Sequence, residues 1–153
     1  MSIDSIAANI ETAIARGDSA QQLLELILAQ FSAQTGTIHR LCSDTGLLTM
    51  IAHVGIPPVI IDKVREIPIG KGIAGAAAEQ RKPVTICNIK TDTSGVVRPG
   101  ASATGAEGAI AVPMLENGEL RGTLGVGKNT EYTWSPEETR ALEQVATLLC
   151  KIA

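Results

Sequence analysis

Residues 70 to 75 read Gly70-Lys71-Gly72-Ile73-Ala74-Gly75, the G-x-G-x-x-G spacing of a loop that wraps a dinucleotide pyrophosphate. Asp92 follows at about the twenty-residue distance where such a loop keeps its ribose-binding carboxylate. That chemistry needs a buried parallel strand leading in and a long helix leading out. The lead-in here, "REIPI", contains Pro68, which has no N–H to give a central sheet ladder. The helix formers after Gly75 have room for about two turns before Pro83, against three or more in a typical helix. The glycines therefore read as a tight turn handing a strand to a helix at close quarters.

Other residues that could do chemistry are few. Cys42, Cys87 and Cys150 are widely spaced, with no C-x-x-C pair. His39 and Cys42 have H-x-x-C spacing, with His53 and Cys87 as further donors, but i and i+3 point to opposite faces of a strand. No metal site is expected, and both histidines read as satisfied or solvent-facing. Phe31, Tyr132 and Trp134 are the whole aromatic complement, which argues against haem, flavin or nucleobase stacking. No cofactor is expected. Net charge is -3, and no Lys/Arg run offers the basic stripe that phosphates require, so no nucleic-acid partner is expected. No apolar run approaches the ~18 residues of a membrane span, and the N-terminus has no signal-peptide pattern. The expected setting is reduced, soluble and cytoplasmic, with no membrane partner.

The elements that must position these residues follow from periodicity. Ala20, Leu23, Leu24, Ile27, Leu28 and Phe31 repeat at helical spacing behind a Ser19/Gln22 capping box, with Gly36 as a candidate C-cap. A shorter helix precedes it, with Ile3, Ile6, Ile10 and Ile14 on one side and Gly17 after its end. "TIHRLC" and "LLTMIAHV", joined by Ser43-Asp44-Thr45-Gly46, read as an antiparallel hairpin. "PPVIIDKVREI" reads as a short helix, Ala76 to Gln80 as another, and "VTI" as a short strand. Residues 88–108 show no period, and a loop of that length in a compact domain is usually functional or disordered. Asn117-Gly118 marks a second hairpin. Ser135, Pro136 and Glu138 open a last helix. No repeat or linker divides the chain, which reads as one domain over residues 1–153, with 1–17 as an N-terminal helix offering a dimer contact.

Taken in order, "TGTIHRLCSDTGLLTMIAHVG", "IPIGKGIAGAAAEQRKPVTICN", "AIAVPMLENGELRGTLGVG" and "WSPEETRALEQVATLLCK" resemble a GAF domain over about residues 19 to 152. The resemblance implies an α+β, PAS-like fold. It has an antiparallel sheet of five or six strands, N- and C-terminal helices on one face, and short helices with a long loop over a pocket on the other. It also implies a small-molecule sensor or a dimerising signalling module, since few GAF domains are enzymes. Free methionine sulfoxide reductases within the family place cysteines in the glycine-rich turn and in the loop before the V-P strand. Here those places hold Ala74 and, in the loop, Ser102 and Thr104. The cysteine and histidine pairing of bilin-binding members is missing, as is the Asn-Lys-Phe-Asp-Glu signature of cyclic-nucleotide members.

The candidate ligand site has three parts. The helix starting at Gly72 aims free N–H groups at its entrance, so Gly72, Ile73 and Ala74 could meet an anion. In the long loop, Arg98 could clamp a carboxylate or phosphate, and Thr91, Ser94, Ser102 and Thr104 offer hydroxyls. In the last hairpin, a two-residue turn pairs Val112 with Thr123 and Ile110 with Gly125, putting Ile110, Val112 and Thr123 on the pocket face. Ala109 and Ala111 then share the helix-covered face with Leu124 and Val126, and a bulge at Pro113 would shift this by one. The expected function is a non-enzymatic sensory domain that binds a small polar or anionic metabolite and relays its presence to a partner protein through the terminal helices. The alternative is a ligand-free dimerisation module, using the apolar stripe Ala141, Val145, Leu148 and Ile152 to form a homodimer. A reductase-like enzyme is the third reading.

Overall fold

The structure, a computed structural model, describes residues 3–88 and 107–153. Two helices open the chain, α1 (Ile3–Ala15) and α2 (Ala20–Gln30), followed by the strands β1 (Thr35–Leu41) and β2 (Leu47–Val54). Next come α3 (Pro58–Val64), β3 (Glu66–Pro68), α4 (Gly72–Gln80) and β4 (Val84–Ile86). The hairpin β5 (Gly108–Glu116) and β6 (Glu119–Lys128) leads to α5 (Pro136–Leu149). All strand pairs are antiparallel, in the sheet order β3-β2-β1-β6-β5-β4.

Both expected capping boxes form. The Ser19 and Ser135 hydroxyls accept from the N–H groups of Gln22 and Glu138, whose side chains accept from the Ser19 and Ser135 N–H groups. Gly36 is not a helix cap. It lies in β1, where a methyl would stand 2.8 Å from Leu28 Cδ2 and 3.1 Å from the Gly125 carbonyl oxygen. Its missing side chain lets α2 settle onto β1.

The terminal helices α1, α2 and α5 cover one sheet face. Ile10, Leu23, Leu24, Ile27, Leu142, Val145 and Leu149 pack there against Ile38, Ile110, Val112, Met114, Leu124 and Val126. The short helices lie on the other face, where Leu48, Ile67 and Ala78 gather with Leu41, Ala74 and Leu120. Tyr132 and Trp134 pack edge to face at 4.8 Å beside the start of α5. The Tyr132 hydroxyl donates to Glu138 at 2.6 Å, and Lys128 Nζ lies 3.9 Å from the Tyr132 ring centroid. The hydrogen bond to the Glu138 carboxylate pushes the Tyr132 hydroxyl up to about 12. Two of the three aromatics are therefore committed to holding β6 against α5.

The glycine-rich stretch serves the turn from β3 into α4. Gly70 and Gly72 have φ of 93° and 67°, which disfavour other residues. A methyl on Gly75 would come within 2.6 Å of the Pro68 carbonyl oxygen, so its absence permits close approach. β3 has three residues, sits at the sheet edge and runs antiparallel to β2. Among the described residues no parallel strand feeds α4, so the strand-turn-helix geometry of a dinucleotide loop is not formed there, and Asp92 lies outside the described residues.

Candidate functional site

The last hairpin decides which side chains face the short helices. Asn117-Gly118 does form the two-residue turn, with Glu116 opposite Glu119 and Leu115 opposite Leu120. The register then shifts, so that Met114 lies opposite Gly122, Pro113 opposite Thr123, and Val112 opposite Leu124. Arg121 is the extra residue of the bulge, and beyond it every residue of β6 changes face relative to the unbulged pairing. Ile110 and Val112 accordingly turn into the core beneath the terminal helices, not to the pocket face. Ala109, Ala111, Thr123 and Gly125 take the side of the short helices. The alanines do meet a close-packed helix, but it is α4, whose buried Ala76, Ala77 and Ala78 belong to an element lying on β5 and β6.

Thr123 is the hairpin residue that keeps its expected face. It is fully buried, and its neighbour across the β6–β1 pairing is His39, itself only 1% exposed. Opposite residues in such a pairing have Cβ atoms about 4.5–5.5 Å apart. His39 Nε2 lies 2.7 Å from the Val64 carbonyl oxygen at the end of α3. A carbonyl only accepts, so Nε2 carries the proton. Burial lowers the His39 pKa and outweighs the opposing effect of that hydrogen bond, which leaves the ring neutral and Nδ1 an acceptor. Among the described residues neither Nδ1 nor the Thr123 hydroxyl oxygen has a hydrogen-bond partner. A third buried atom without one, Trp134 Nε1, belongs to the cluster beneath the terminal helices. His39 is thus buried and half satisfied, with Nε2 paired to Val64 and Nδ1 without a partner among the described residues. The alternation in "TIHRL" held the signal, because Ile38 in the core sends His39 to the opposite face.

Several residues flanking this pair in the sheet are half-buried. Gly125 and Thr37, next along β6 and β1, are half-buried and face each other. The Thr37 hydroxyl lies 3.0 Å from where a Gly125 methyl would be. Met50 stands opposite His39 on β2 and is half-buried. Gly72, Ile73 and Ala74 form the half-buried first turn of α4, which no side chain caps at Lys71. Thr91, Ser94, Arg98, Ser102 and Thr104 lie outside the described residues.

The thiols are dispersed. Cys42 follows β1 and Cys87 follows β4, three places apart in the sheet order. At about 4.8 Å per strand that is about 14 Å, against a Cα limit of about 7 Å for a disulfide. Cys150 is buried, its Sγ 3.7 Å from the Ala146 carbonyl oxygen, and burial pushes its thiol pKa up. Among the described residues no group of three or more His, Cys, Asp or Glu side chains is placed to hold a metal. No helix among them is long and apolar enough to cross a membrane.

The sequence profile of the GAF domain matches residues 17–149. The chain belongs to the GAF family. Solved structures share the fold of this GAF domain at low sequence identity. The GAF domain of a phosphoenolpyruvate-protein phosphotransferase from Coxiella burnetii superposes with a TM-score of 0.79 at 20% identity, covering 97% of this chain and 90% of that one. The corresponding domain from Acinetobacter gives 0.82 at 14%, covering 99% and 94%. Free methionine-R-sulfoxide reductase from Neisseria meningitidis, in complex with its substrate, gives 0.79 at 16%, covering 97% and 86%. No curated protein matches the chain. At these identities the structural likeness concerns the fold, which GAF domains of larger proteins and an enzyme share.

Proposed function

We propose that this GAF domain is a sensory module. It binds a small polar or anionic metabolite on the sheet face beneath α3 and α4, and passes that event to a partner protein through the terminal helices. One observation carries the reading: His39 Nδ1 and the Thr123 hydroxyl, adjacent on neighbouring strands, are both buried without a partner among the described residues. Leaving buried polar atoms unpaired is costly, about 1–3 kcal/mol each, so a bound group that pairs them gains that much advantage. Strand alternation supports the relay. Thr123 faces the site, while Leu124, next in sequence, is buried against the terminal-helix layer.

The domain is read as a binding module rather than an enzyme. A sulfoxide reductase needs a thiolate and a resolving thiol within reach. The strand separation of Cys42 and Cys87 and the burial of Cys150 argue against such a pair. The dimer reading has less to stand on than the sequence suggests. Ile6, Ile10, Ala141 and Val145 are buried within the protomer, leaving Leu148 and Ile152 partly exposed on that stripe.

A melting-temperature screen tests the proposal, with nitrate, phosphate, amino acids, 2-oxo acids, purines and cyclic nucleotides as the panel. A ligand at about a hundred times its Kd adds about 2.7 kcal/mol, which is about 5–10 °C for a domain of this size. A panel without any shift, at concentrations well above millimolar for the small anions, would defeat the sensor reading.

A further inference from the structure

The two unpartnered atoms differ in what they can accept from a ligand. His39 Nε2 spends its proton on Val64, so Nδ1 presents a lone pair and no hydrogen. The Thr123 hydroxyl can turn, and offers either its proton or a lone pair. A carbonyl or carboxylate oxygen set against Nδ1 would oppose two lone pairs. An amino or hydroxyl group would instead donate to Nδ1, and an amino group has further protons for the Thr123 oxygen. The cross-strand spacing of about 5 Å lets one atom reach both.

We propose that the His39–Thr123 pair is a receptor for a hydrogen-bond donor, and that the ligand is a small metabolite presenting an amino or hydroxyl group to it. This rests on the sensor reading above and narrows it: any anionic part of the ligand is bound elsewhere in the site. Nothing in the family match assigns this pair a role. The competing occupant is a buried water, which also satisfies polar atoms in otherwise closed interiors.

Matched acids that differ only at the second carbon separate these cases. L-alanine and L-lactate are compared with pyruvate, and L-glutamate with 2-oxoglutarate, on the whole chain labelled with 15N-histidine. The chain has 2 histidines, and His53→Gln assigns the ring signals. The expected result is that the amino or hydroxy member of at least one set raises the melting temperature and moves the His39 Nδ1 resonance. Its 2-oxo counterpart binds about tenfold more weakly or not at all, and Thr123→Val weakens the preferred acid by about tenfold. An acid that raises the melting temperature without moving Nδ1, or 2-oxo acids that bind equally well, overturns the donor inference and leaves the sensor reading standing. An Nδ1 already hydrogen-bonded in the free protein and unmoved by every acid assigns the pair to water, and overturns the inference alone. If all these acids are silent in both the melt and the spectrum, the donor inference is overturned, and the wider panel alone then decides the sensor reading. The spectra need only the unaltered Thr123 protein, so a poorly folding Thr123→Val variant does not block the test.

Discussion

Thr123→Val asks whether the site costs the free protein stability. The residue is fully buried, and its hydroxyl oxygen has no partner among the described residues. Threonine and valine are both β-branched and nearly the same shape, so strand preference and packing change little. The substitution deletes a desolvated polar group whose cost is about 1–3 kcal/mol, and buries a methyl worth up to about 0.8 kcal/mol. A net gain of about 1–4 kcal/mol is expected in the ligand-free protein. At about 2–4 °C per kcal/mol for a chain of this length, the melting temperature should rise by about 2–16 °C. Thermal unfolding followed by circular dichroism measures this directly, and a urea midpoint that rises at constant m-value would confirm it. Thr139→Val supplies the opposite sign. Its hydroxyl donates to the Ser135 carbonyl oxygen at 2.9 Å, and losing that bond should cost about 0.5–1.5 kcal/mol. An unchanged or lowered melting temperature for Thr123→Val would refute the reasoning, because the hydroxyl would then have a partner in solution.

Gly122→Ala should prevent the β1–β6 pairing from closing. A methyl there overlaps the His39 carbonyl oxygen and comes within 3.2 Å of Arg40 Cα, both backbone atoms that cannot rotate away. Loss of soluble protein, or a melting temperature lowered by ten degrees or more on the scale of about 2–4 °C per kcal/mol, is expected; wild-type stability would show that the strands do not approach as described. Ser135→Ala removes the hydroxyl that accepts the Glu138 N–H at 3.1 Å, and should cost about 0.5–2 kcal/mol in urea unfolding. Acid should also weaken the fold. His39 is held neutral with a pKa below its ordinary 6.5, so the unfolded chain binds the extra proton first. Its contribution is complete above about pH 6.5 and declines as pH falls toward the lowered folded value. The urea midpoint should therefore drop between about pH 7.5 and about pH 5, and drop less in His39→Gln; identical profiles for the two proteins would reject the assignment.

Several elements were legible in the sequence because their causes are local. The two capping boxes need only residues three apart, and both formed at Ser19 and Ser135. The amphipathic run Leu23, Leu24, Ile27 and Leu28 needs only its 3.6-residue period, and all four are buried. Asn117-Gly118 set the hairpin turn through preferences of its own backbone. The order of these segments was also enough to suggest the GAF family.

The faces of the strands were not legible, because they depend on contacts between distant segments. A bulge at Arg121 shifts the pairing by one residue, and a side-chain period of two turns that shift into an exchange of faces. Ile110 and Val112 thereby moved into the core beneath the terminal helices, while Thr123 remained toward the short ones. Gly36 resembled a helix cap by position, yet its role is set by Leu28 and Gly125, residues far apart in the chain. His39 became a candidate binding residue only through Val64 at the end of α3 and Thr123 on β6, one fixing its proton and the other completing the pair. Sequence alone determined most of the helices, strands and turns, because those preferences are written within a few residues, but it ran the helix after Pro57 on through Glu66 and Ile67, which pair with β2 as the edge strand β3. Tertiary structure decided which polar atoms are buried together without partners, because burial belongs to the packed sheet and not to any one segment of it.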